Sequence, residues 1–169
     1  MYNVIVLAEQ ALTAADADEV ASLHSAIEDQ RHYHVLIPCD NAAVRVETAL
    51  GSLAASEVLA VPPVAANQAD VERAQAEIEA EAQNAVATSV SALRALGAEA
   101  SGGFSSQDPI ESLEHVAREQ FADEVIVLTR PHVVQEFLHL DWSSKARRRL
   151  GVPVLHLVEH EASPPVGGR

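Results

Sequence analysis

The sequence predicts an α/β protein with a three-layer, Rossmann-like fold: a five-stranded parallel sheet, expected in the order 3-2-1-4-5, with helices on both faces. Three observations predict it. Short uninterrupted runs of β-branched and aliphatic residues recur along the chain, as in strands covered on both faces. Stretches with apolar residues at three-to-four spacing lie between them, so strands and helices alternate. The 169 residues suit one domain, which at this size buries roughly 70% of the surface its unfolded form exposes.

Val4, Ile5, Val6 and Leu7 form the first such run. Asp16 is placed to cap the following helix, where Val20, Leu23 and Ile27 recur at helical spacing and Asp18, Glu19, Glu28 and Asp29 lie off that stripe. His34 to Ile37, stopped by Pro38, make the second strand. Residues 40–68 mix a helical pattern (Val44, Thr48, Leu53) with a strand-like run (Glu57 to Val61) closed by Pro62-Pro63. They are expected to form an ordered excursion with a short helix.

From Asp70 to Gly97 the stripe Val71, Ala74, Ile78, Ala82, Ala85, Val90, Leu93, Leu96 marks the longest helix, with Gly97 as its C-cap. Glu99 to Ser105 is a short third strand containing Gly102-Gly103. Asp108 caps the next helix, with Pro109 at its first position, Glu111 at capping-box spacing, and Ile110, Leu113, Ala117 and Phe121 facing inward. Val125 to Leu128 and Val154 to Val158 are strands four and five. The domain spans residues 1–160, and the Pro/Gly-rich residues 161–169 are expected to be a flexible tail.

Formal net charge is −14, which disfavours association with a nucleic-acid backbone. The acidity is uneven: residues 1–85 carry −11 and residues 86–169 carry −3. Arg130, Lys145, Arg147, Arg148 and Arg149 cluster within twenty residues, as a helix C-terminus favoured by the macrodipole or as an anion or partner-docking patch. Cys39 is the sole cysteine, so no internal disulfide forms. The opening MYNVIVLAEQ has no basic n-region, cleavage site or long apolar span, and a soluble cytoplasmic protein is expected.

The closing third, DEVIVLT (Asp123 to Thr129), then RPHVVQEFLHLDWSSKARRRLG, then VPVLHLV (Val152 to Val158), resembles the last βαβ unit of the universal stress protein family. In ATP-binding members a G-x-x-G-x9-G-[S/T] motif follows strand four, its glycines letting backbone N–H groups approach the phosphates. Here Thr129, His132 and Trp142 stand at the glycine places, and only Ser143 matches. The resemblance therefore implies a degenerate ATP motif, with ATP or another adenine nucleotide as a weakly bound cofactor at most. It also implies a homodimer through the last strand.

Open parallel sheets bind ligands beyond the carboxyl ends of the strands where strand order reverses, which in this order lies between strands one and four. The candidate ligand residues are Ala8, Glu9 and Gln10 after strand one, Pro38 beside Cys39 after strand two, and Thr129, Arg130 and His132 after strand four. Ser143 and Ser144 join them, although Asp141 beside them makes an ordinary helix N-cap. Arg130 and His132 are the side chains suited to an anion.

No nucleophile elbow, Walker A, dinucleotide fingerprint, HExxH or CxxC is present, so no catalytic residue is assigned. His24 and His115 lie on or beside helical stripes as packed or boundary residues. His32 and His34 are read as alternating across a strand start, and His156 and Glu159 as lying on opposite faces, so no metal site is assigned. The reading is a non-enzymatic regulatory or binding module with lost or altered ATP binding. The alternative is an ATP- or AMP-binding stress-response protein, with or without slow ATP hydrolysis.

Overall fold

Five strands pair in parallel in the order β3-β2-β1-β4-β5, as expected. They are β1 (Tyr2–Ala8), β2 (Arg31–Pro38), β3 (Glu99–Ser105), β4 (Glu124–Thr129) and β5 (Val154–Val158), joined with the helices α1 (Ala14–Leu23), α2 (Gln68–Ala95) and α3 (Pro109–Glu119). The structure is a computed structural model and describes residues 1–39, 68–129 and 148–160. Residues 40–67 of the expected excursion over 40–68, the segment 130–147 and the tail 161–169 lie outside the described residues, while Gln68 belongs to α2.

Because successive strand residues point to opposite faces, the continuous apolar runs fill two cores at once. Val4, Val6, Tyr33, Val35, Ile126 and Leu128 pack on one face with Val20 of α1 and Leu93 of α2. Ile5, Leu7, Leu36, Val125 and Val127 pack on the other with Leu113 and Ala117 of α3. Each fully buried Val, Leu or Ile contributes roughly 1.5–3 kcal/mol, so β1, buried from Val4 to Ala8, is the hydrophobic axis of the domain. β3 approaches α2 closely. A side chain at Gly102 would stand 2.8 Å from the Val35 carbonyl oxygen and 2.9 Å from Val86 Cγ1, which is why glycine occupies that position.

The helix ends follow local chemistry. Gly97, at φ +80°, closes α2: its N–H reaches the Arg94 carbonyl (2.9 Å) and that of Ala98 the Leu93 carbonyl (3.4 Å), the paired bonds of a Schellman motif. Asp108 caps α3 by accepting from the N–H groups of Ile110 and Glu111. α1 departs from expectation. Its N-cap is Thr13, and Asp16 sits three residues later as the reciprocal half of a capping box. The stripe is also rotated: Ala17, Val20 and His24 are buried, whereas Leu23 is 45% exposed and Ile27 lies beyond the helix.

Two other inward assignments are corrected. Phe121 is 82% exposed, because the chain leaves α3 at φ +50° and turns the ring out to solvent. His115 is exposed on α3 opposite Glu119 rather than packed. At the amino ends of the strands, His24 joins a buried polar network: Nε2 lies 3.0 Å from Glu124 Oε2, which also accepts from the Tyr2 hydroxyl, and Nδ1 lies 3.1 Å from the Tyr33 hydroxyl. Among the described residues no helix is long and apolar enough to cross a membrane.

Candidate functional site at the carboxyl ends of the strands

Strand order reverses between β1 and β4, so the crevice lies where these two strands end. Ala8 is fully buried beside Leu128, and Glu9 and Gln10 follow it, half-buried. Thr129, the last residue of β4, is 2% exposed, and its hydroxyl lies 2.7 Å from His156 Nε2. Pro38 ends β2 on the other side of β1, and the Cys39 N–H ties that end to the Ser105 carbonyl of β3. The fold thus gathers Ala8, Glu9 and Thr129 at the crevice and holds Pro38 one strand away. Arg130, His132, Ser143 and Ser144 lie outside the described residues.

The sequence reading missed what arrives after β5. The Glu159 N–H donates to the Thr129 carbonyl (2.9 Å), and the Glu159 carboxylate accepts from the backbone N–H of Glu9 (3.3 Å). Glu159 is only 4% exposed. The next residue, His160, crosses to α1: its backbone N–H (2.7 Å) and ring Nδ1 (2.9 Å) both meet Asp16 Oδ1. The ionised carboxylate can only accept, so Nδ1 is the donor. Asp16 Oδ2 accepts from the Thr13 N–H and hydroxyl. Burial opposes ionisation of Asp16, yet the bonds from His160 and Thr13 outweigh it and hold its pKa below the ordinary value.

A sequence signal for this cover existed in the polar pair Glu159-His160 directly after an apolar strand, but its partners lie some 150 residues earlier, beyond any local pattern. The described end of the sheet gathers the carboxylates of Glu9, Asp16, Glu19 and Glu159. Thr129 and His156 make a hydroxyl–imidazole pair, but no described carboxylate orients the other ring nitrogen, as a nucleophile-activating set requires.

Two solved structures are similar over nearly the whole chain. Hypothetical protein MJ0577 covers 95% of this chain and 97% of its own, at 13% identity and a TM-score of 0.63. A universal stress protein family protein from Arabidopsis thaliana, with AMP bound, covers 99% of this chain and 97% of its own, at 13% identity and a TM-score of 0.56. No protein-family model matches the chain, and no curated protein matches it. At such identities the likeness concerns the fold, which is that of a universal stress protein-like α/β domain.

Proposed function

We propose that this chain is a universal stress protein-like regulatory or binding module, non-enzymatic and homodimeric, in which adenine-nucleotide binding is lost or altered. The observation that carries this reading is the placement of Glu159. Its carboxylate takes the first backbone N–H after β1, a donor at the crevice to which a nucleotide would bring its phosphates. The bulk of Thr129, at a place where the motif of the resembled family has glycine, works in the same direction. Calorimetric titration with Mg-ATP and with AMP tests it: neither is expected to saturate at ligand concentrations on the order of tens of micromolar. Saturation at about 1 μM would overturn it.

That result would favour the second reading, an ATP- or AMP-binding stress-response protein. It is supported by the AMP-bearing Arabidopsis structure, whose fold this chain matches over 99% of its length. In that case Arg130 and His132 would meet the anion through their side chains, and Arg130→Ala should abolish AMP binding. Unchanged binding in that variant would move the anion elsewhere.

A further inference from the structure

His32 and His34 do not diverge. A strand repeats every two residues, so both imidazoles return to one face of β2, while Tyr33 between them is buried on the other. β3 supplies Ser101 to that face, directly opposite His34. Ser101 Oγ lies 2.9 Å from His32 Nε2 and 3.0 Å from His34 Nδ1. A hydroxyl has one proton and can donate it to one ring only, so the second ring must donate its own N–H to the same oxygen. Two imidazole nitrogens therefore converge on a single point.

The surroundings are acidic and open. Glu99 stands in register with His32, and Glu119, near the end of α3, acts electrostatically on His34. His115 Nε2 lies 3.8 Å from Glu119 Oε2 at the solvent side. His32, His34 and Ser101 are each half-buried, so an ion can reach them. The cluster occupies the amino-terminal halves of β2 and β3, away from the crevice at the other end of the sheet.

We infer that His32 Nε2 and His34 Nδ1 form a two-nitrogen site for a borderline divalent transition ion such as Zn2+, Ni2+ or Cu2+, with water completing the coordination shell. Metal–imidazole bonds are about 2.0–2.1 Å, so an ion held by both nitrogens takes the place of the Ser101 hydroxyl, which must turn aside, and each nitrogen closes on it by about 1 Å. Either ring can shift its proton to the outer nitrogen and offer the inner lone pair, so binding requires no net proton loss from neutral rings. Nitrogen donors favour Cu2+ over Ni2+ and Zn2+, whereas Mg2+ and Ca2+ demand oxygen. No group of three or more His, Cys, Asp or Glu among the described residues is placed to hold an ion. The site is accordingly open and exchangeable, unlike a closed structural zinc site.

Tag-free, full-length protein titrated with ZnCl2 and with NiCl2, with MgCl2 for comparison, tests the assignment by calorimetry and by imidazole NMR. One transition ion per chain should bind saturably, and the ring signals of His32 and His34 should shift ahead of the others while Mg2+ leaves them unmoved. His34→Ala and His32→Gln should each weaken binding at least about tenfold, the loss that even an outer partner of a metal ligand can cause. Absence of saturation with both ions, shifts confined to other histidines, or unchanged affinity in either variant would each refute it. The NMR measurement needs no variant, so it decides the matter even if a substitution disturbs the fold.

Discussion

Asp16 and His160, 144 residues apart, are joined by two hydrogen bonds to one carboxylate oxygen, which fastens the chain after β5 to the first turn of α1. Because Asp16 is 1% exposed and its folded pKa lies below the ordinary 3.8, its bonds stabilise the protein fully above that pH and lose their contribution as pH falls through the lowered value. Asp16→Asn should cost about 1–3 kcal/mol at pH 7. The gap from the unmodified protein should narrow between pH 7 and a pH below that lowered value, where protonation makes the two side chains alike. Urea denaturation at both pH values measures it, and a gap that stays constant would exclude the carboxylate charge as its source.

His24, 3% exposed, satisfies Glu124 and Tyr33 at once. Removing the ring leaves both partners without it and opens a void, so His24→Ala should destabilise by about 2–4 kcal/mol. Tyr33→Phe deletes a single hydroxyl and should cost about 1 kcal/mol. A difference of less than about 0.5 kcal/mol for His24→Ala, the ordinary range of surface changes, would mean that the network adds nothing.

Neighbouring glycines on β3 should respond oppositely. The side chain of Gly102→Ala would press on the Val35 backbone and Val86, an overpacking worth about 1–3 kcal/mol. Gly103→Ala meets nothing within 4 Å, and should be neutral or stabilise by up to about 1 kcal/mol by restricting the unfolded chain. Thermal melts of the two variants distinguish the positions, and equal losses would argue against the close approach of α2.

For the proposed homodimer, β5 is the edge strand of the sheet among the described residues, and strand-to-strand pairing with a second copy is its expected use. Leu155 and Leu157 pack against the core, so lysine there would damage the subunit itself. Val158, 44% exposed, is the cleaner probe. Val158→Lys should yield a monomer by light scattering, and added salt should strengthen the unmodified dimer by screening its net charge of −14. A monomeric unmodified protein at micromolar concentration would rule this interface out.

The strands were readable because sheets buried on both faces demand uninterrupted apolar runs, such as Val4 to Leu7 and Val125 to Leu128, whereas their order followed from the β/α alternation together with the resemblance of the closing βαβ unit. Gly97 and Asp108-Pro109 marked helix ends through backbone chemistry alone. Where two residues could each serve, the pattern was ambiguous: Thr13 and Asp16 are both N-cap types, and only the fold assigns Thr13 the cap and Asp16 the third position. Phe121 looked apolar and inward because a sequence does not display a positive φ. Of the candidate site, Ala8, Glu9 and Thr129 were legible from topology, while the cover made by Glu159 and His160 depends on contacts across most of the chain.

The central place of β1 governs the order in which the domain can be completed. It is made before the other four strands and can pair with β2 soon after, but its other edge matches β4, with Val4 opposite Glu124. At synthesis rates of about 5–20 residues per second, the intervening 120 residues take roughly 6–24 s. Through that interval the most apolar strand of the nascent chain keeps one edge bare, and the slow, non-local closure that ends the wait is the step at which a chaperone would have most to protect.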